Sequence, residues 1–159
     1  MGIEVDDMTN DSSIGGSEKI PVSDGGTPKH ITTGEMKTYV NTGSPITGLI
    51  PFTIDSPGAS EDQGGVFIDD AITVIQLNAV LRGSSTPSVT WTIRHDPDRS
   101  AAGNEVVTSG TTTTSTSTGD ETTSFNDATI PAGSWIWIET TAQSGTVNEL
   151  NVSVEYTVD

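Results

Sequence analysis

NELNVSVEYTVD, residues 148–159, alternates with a period of two almost to the end of the chain. Leu150, Val152, Val154, Tyr156 and Val158 share one side; Asn151, Ser153, Glu155 and Thr157 share the other. Successive side chains of a strand point to opposite faces, so this pattern belongs to a strand with one face on a core and one in water. The same signal recurs upstream. Ser88 to His95 places Val89, Trp91, Ile93 and His95 against Ser88, Thr90, Thr92 and Arg94, and Trp135 to Thr141 follows an Ile-Pro-Ala-Gly turn. Ala71 to Arg82 (AITVIQLNAVLR) reads as apolar on both faces, which predicts a central strand covered on both sides. Ile50 to Ile54 (IPFTI) carries Pro51, a residue confined to sheet edges. Asn104 to Ser109 and Thr111 to Thr118 flank Gly110 and are placed to pair as a hairpin. Short strands separated by turn signals about every 10 residues predict an all-β fold, an antiparallel β-sandwich resembling a jelly roll.

Composition agrees. Hydrophobic residues make up 31% and aromatics 5% of 159 residues, enough for one modest core. Seventeen Gly, eight Pro and many Thr and Ser suit strands and turns. There is no Cys, which excludes disulfides and thiolate chemistry. The balance of 6 Lys plus Arg against 22 Asp plus Glu gives a formal net charge of −16. Nucleic acid and anionic membrane are therefore not expected partners, since both require clustered cations. The acidity reads first as solubility. A second reading is a saline habitat, since every cation after Lys37 is an Arg (Arg82, Arg94, Arg99). The first residues, MGIEVDDMTNDSSIGG, lack the cationic and apolar regions of a signal peptide, and no apolar run approaches the roughly 20 residues of a membrane span. A soluble protein made in the cytosol is expected.

The front of the chain has a different organisation. Residues 1–18 are polar, acidic and glycine-rich, as in a tail that is disordered or ordered only by a partner. Residues 19–43 form a small hairpin-plus-helix module. Ile20 and Val22 begin a strand, Asp24-Gly25-Gly26 turns it, and Lys29-His30-Ile31 returns. Thr32 and Glu35 match a capping box, and Met36, Tyr39 and Val40 fall on one face of the helix that follows. Such a module buries too little to stand alone, so it must pack on its own C-terminal domain (residues 44–159), on copies of itself or on another protein.

Chemistry is sparse. His95-Asp96-Pro97-Asp98-Arg99 brings an imidazole beside two carboxylates, which could serve a hard cation or sugar hydroxyls. Asp-Pro-Asp is equally a turn sequence, and the turn is the simpler reading. Asp96 and Asp98 are thus weak metal candidates. The acidic residues are scattered over turns with no pair set in an apolar strand, and no Gly-x-Ser-x-Gly or phosphate loop is present, so no enzyme and no cofactor are expected. Trp135 and Trp137 share one face of their strand, Ile136 and Ile138 the other. An aromatic-poor sandwich should place its Trp inside, which makes the Trp face core. With the Ile face inward, the indoles would instead serve a subunit interface or, ranked after it, stack on sugar rings. Thr111 to Thr118 (TTTTSTST) reads as hydroxyls alternating on an edge or surface strand.

KIPVSDGGTPKHITTGEMKTYV (19–40) resembles the short hairpin-plus-helix module of tailed-bacteriophage fibre and virion-surface proteins, where a phrase of the form PVsDGG…kkIT…dL recurs. PSVTWTIRHDPDRSAAG, SFNDATIPAGSWIWIETT and NELNVSVEYTVD are similar to β-sandwich tip domains of phage structural proteins. Met36 and Tyr39 depart from the phrase, which carries a shorter aliphatic run. The resemblance implies a protein of the virion surface, a capsid decoration or head fibre. It also implies a homotrimer assembled through Ile20, Val22, Ile31, Met36, Tyr39 and Val40, and attachment to the major capsid protein or another virion protein through residues 1–43. A tail-fibre adhesin is the alternative, with His95, Asp96, Asp98, Arg99, Trp135 and Trp137 as candidate contacts to a host-surface glycan.

Overall fold

The computed structural model describes Ile46–Asp159 and the backbone of Lys19–Asp24 and Thr27–Thr32. The expected tail (1–18), the turn glycines Gly25 and Gly26 and the expected helix with Met36, Tyr39 and Val40 lie outside the described residues. The chain divides between Pro45 and Ile46 into two units. In the first, β1 (Lys19–Asp24) and β2 (Thr27–Thr32) pair antiparallel, with Ile20 opposite Ile31 and Val22 opposite Lys29.

The second unit is one antiparallel sheet of eight strands, curled into a half-barrel. Its spine is a pair of strands of 25 residues each, β5 (Ile72–Asp96) and β10 (Ser134–Val158), registered from Trp135 opposite Asp96 to Val158 opposite Ile72. β3 (Thr47–Asp55) and β4 (Asp62–Ile68) pair with the free side of β10, β3 along its second half and β4 along its first. The free side of β5 receives β6 (Asn104–Glu105), β7 (Thr111–Thr113), β8 (Asp120–Thr122) and β9 (Thr129–Ile130). Among the described residues there is no helix.

A straight strand of that length would reach roughly 80 Å, whereas a compact unit of about this size is roughly 35 Å across, so the ribbon has to bend. It bends where its register slips. Around the middle, Ser84 pairs with Thr146 and Ser88 with Ser144, so β5 spends extra residues against the single Gly145. Thr86 and Gly145 both take positive φ (53° and 71°). Gly83 lies against β10 so closely that a Cβ there would overlap the Thr146 carbonyl oxygen.

The other slips are single-residue bulges, each of which moves the inward face by one position. Thr141 and Asn148 are the extra residues on β10, and Ile75 is the extra residue on β5. Inward residues therefore run Ile72, Val74, then Leu77, Ala79, Leu81 on β5, and Val147, then Leu150, Val152, Val154 on β10. The expectation that Ala71–Arg82 is apolar on both faces is corrected by this bulge. One face is buried throughout, and the second apolar series arises because the register changes at Ile75, which is 37% exposed. The expected hairpin across Gly110 is corrected too: β6 and β7 both pair with β5 and not with each other.

Both halves of the ribbon contribute to a single core. Ile50, Phe52 and Ile54 of β3, Ile68 of β4, Val106 just after β6 and Ile130 of β9 join the inward residues of β5 and β10 in one cluster. Trp91, 1% exposed, donates its indole N–H to Thr113 Oγ1 at 2.9 Å, so the largest core side chain also has its polar atom satisfied. The threonine run is part edge strand, part connection: Thr112 and Thr90 share a cross-strand hydroxyl bond of 2.8 Å, while Thr113 is buried.

The bulge at Ile75 gives two neighbouring apolar residues opposite fates, which mutation should separate. Leu77→Ala is expected to cost about 2–5 kcal/mol in denaturant unfolding. Ile75→Ala should change stability by less than about 1 kcal/mol. Equal losses would restore the two-faced reading of the strand.

Candidate functional site

The residues nominated from the sequence gather where β5 ends and the 96–103 loop begins, but they do so on two faces. His95 follows Val89, Trp91 and Ile93 on the inward side of β5 and is 2% exposed. Its Nε2 lies 3.2 Å from Asp127 Oδ2 on the connection leading into β9. Asp96 and Arg99 belong to the other side, where Trp135 stands opposite Asp96. The structure therefore separates His95 from the rest of the His95–Arg99 group.

The loop is built by its own carboxylates. Asp96 Oδ1 accepts the Asp98 amide at 2.8 Å, and Asp98 Oδ1 accepts both the Ser100 amide at 2.9 Å and the Ser100 hydroxyl at 2.7 Å. These are the side-chain-to-backbone bonds by which Asp mimics a turn. The Ser100 hydroxyl, then its amide, hold the Asp98 carboxyl below its ordinary range. Among the described residues no group of three or more His, Asp and Glu side chains is placed to hold a metal ion.

Behind the loop lies a network of charge. Arg94 reaches Glu139 on β10 through Nε and Glu105 on β6 through Nη2 at 2.7 Å. Its Nη1 donates to the Ala102 and Gly103 carbonyls at 2.9 and 3.1 Å, which fixes the far end of the loop. Glu139 also accepts the Trp137 indole N–H at 3.2 Å, and Glu105 accepts the Ser109 amide at 2.8 Å. Arg99 bonds Asp62 on β4 and places its guanidinium 4.4 Å above the Trp137 ring. Both arginines are thus neutralised by neighbours, with little charge left for a ligand.

The two tryptophans part company. Ile136 and Ile138 enter the core cluster, so the expectation that the Trp face is core is corrected. Trp137 is nevertheless fully buried, because the loop lies across it. Gly103 takes φ 67°, and a Cβ there would overlap the six-membered ring of Trp137. The indole is therefore closed to any ligand. Trp135 stays partly open and pairs edge-on with Phe67 on β4, with ring centroids 5.3 Å apart at 62°. Phe67 is 48% exposed.

Phe67, Asp62, Glu139 and Glu105 were not singled out from sequence. DQGGVFI (62–68) has two glycines and no clean alternation, so it gave no strand signal, and only the register of β4 on β10 sets Phe67 opposite Trp135. Arg94 was visible as the charged member of the polar series Ser88, Thr90, Thr92, Arg94, but its partners come from strands far along the chain. The nominated Ile20, Val22 and Ile31 lie on the β1–β2 hairpin. No family model, curated protein or solved structure matches the chain.

Arg94→Met leaves Glu105 and Glu139 without their shared cation; with these side chains about one-fifth exposed, a loss of about 1–2 kcal/mol is expected in urea unfolding. Glu139→Gln added to that variant should recover part of the loss. The lowered Asp98 value stabilises the folded loop fully at neutral pH, and that contribution disappears as pH falls through the folded value. A carboxyl-carbon NMR titration should place the Asp98 midpoint below the ordinary aspartate value of 3.8; a midpoint at or above that value would contradict the turn bonds.

Proposed function

We propose that the protein is a non-enzymatic structural component of a bacteriophage particle, displayed on its surface and anchored through residues 1–43. The observation that carries this reading is how the polar side chains are used. Arg94, Arg99, Asp96, Asp98, Glu105 and Glu139, the groups a catalytic cleft would draw on, are committed to each other, to loop amides and to the Trp137 indole. Spending titratable groups on rigidity suits a protein that must hold its shape. The likeness of residues 19–40 to the virion hairpin-plus-helix phrase supports the location.

In this reading Ile46–Asp159 is a projecting knob. The two halves of its curled sheet stack as a jelly-roll-like β-sandwich about the shared core. The hairpin, followed by a helix bearing Met36, Tyr39 and Val40, joins three copies, and the acidic tail binds the major capsid protein. Three weak attachments on one assembly multiply through effective concentration, so no single contact need be strong. A position on the tail as a fibre tip uses the same fold and differs in copy number.

Quantitative mass spectrometry of purified particles tests location and class together. Copies in fixed ratio to the capsid lattice are expected; a few per particle would move the protein to the tail, and absence from particles would end the proposal. Light scattering of the recombinant chain should give the trimer mass, and a stable monomer would remove the threefold anchor.

A further inference from the structure

We propose that the outer face of β4 and β10 holds a shallow binding site for a neutral pyranose ring, centred on Phe67 and Trp135. Three observations build it. The first is the aromatic corner itself, a cross-strand pair meeting at 62° whose Phe67 ring is 48% exposed at a sheet edge. Leaving half of a large aromatic exposed forgoes part of a burial worth about 1.5–3 kcal/mol, which a ligand covering the ring would recover.

The second is the glycine beside the corner. Gly65 has no side chain, and a Cβ there would lie in van der Waals contact with both Trp135 Cε3 (3.8 Å) and Arg99 Nε (4.0 Å). Position 65 therefore places no side chain of its own over the surface where the aromatic pair meets Arg99. The third is the polar rim. Arg99 is held by the Trp137 ring on one side and by Asp62 on the other, while Asp62 keeps half its surface open. Donor and acceptor are fixed before a ligand arrives, which lowers the ordering cost of binding.

An exposed aromatic pair bounded by a fixed donor–acceptor pair matches a pyranose, whose C–H face is apolar and whose hydroxyls lie around its edge. A docking protein would need roughly 800 Å² on this side, far more than two rings provide. Charge selects among sugars. The chain carries −16, and Arg99 and Arg94 already hold carboxylates, so sialic acids, uronic acids and phosphosugars meet repulsion without a free cation. A single ring on one corner implies millimolar affinity, which becomes useful only through several copies. The inference does not depend on where in a particle the protein sits, and its failure would leave the structural role intact.

The test is a titration of the full chain, followed by amide NMR, with methyl glycosides of glucose, galactose, mannose and N-acetylglucosamine, and with sialyllactose as the acidic comparison. At tens of millimolar, at least one neutral glycoside should shift amides of 62–67, 99 and 135 together, and sialyllactose should bind at least threefold more weakly. Phe67→Ala should weaken binding about tenfold. Gly65→Leu, which sets a branched side chain against Trp135 and Arg99 at a position without positive φ, should abolish it while the rest of the spectrum stays unchanged. Absence of shifts with every neutral glycoside would overturn the site, as would shifts elsewhere, shifts unaffected by Gly65→Leu, or preference for the acidic sugar.

Discussion

Everything in Ile46–Asp159 hangs on the pairing of β5 with β10. Every other strand of the unit bonds to one of these two, and the other strands do not pair among themselves. The ribbon must also bend, because it is far longer than the unit it serves. A bend in a two-stranded ribbon disrupts the ladder unless extra residues absorb it. Thr141, Asn148, Ile75 and the Ser85–Pro87 stretch opposite Gly145 are those residues. Each slip shifts the inward face by an amount that keeps apolar side chains on the concave side. One core results, shared by both halves of the ribbon, and the loops and charge clusters are positioned by it.

The same geometry explains what could be read in advance. NELNVSVEYTVD was legible because its alternation is unbroken after Asn148, and Leu150, Val152 and Val154 are indeed buried. Ser88–His95 was legible for the same reason. AITVIQLNAVLR misled because a bulge inside a strand produces two apolar series, a pattern shared with a strand buried on both sides. Residues 83–87 and 142–147 fall between the strands expected from the sequence; they are the two sides of the bend. β4 left no signal, since Gly64 and Gly65 break the alternation and its burial depends on β10. The all-β class followed from local pattern, whereas the single continuous ribbon depended on pairings far apart in sequence.

For the nominated site, the structure separates side chains that the sequence lists side by side. His95–Arg99 is a turn held by its own aspartates, with its imidazole on the inner face and its arginine on the outer. Alternation alone could place Trp135 and Trp137 together, but not tell that the loop closes over one of them. The 96–103 loop removes Trp137 from solvent, and Phe67, from a strand without a sequence signature, takes its place beside Trp135. The arginines on this outer face are neutral in effect. The surface around Trp135 and Phe67 offers aromatic edges beside hydrogen-bonding groups already held by their neighbours.

Native-state hydrogen exchange tests the ribbon most directly, since amides that open only on global unfolding identify the element on which a fold depends. Amides in both halves of the β5–β10 pairing, 77–81 with 150–154 and 91–95 with 136–140, should exchange at one common slowest free energy equal to that of global unfolding. Those of β4 and β6 should exchange much faster. Two distinct opening energies for the two halves, or β4 as protected as the ribbon, would show that the unit is not organised around one bent ribbon.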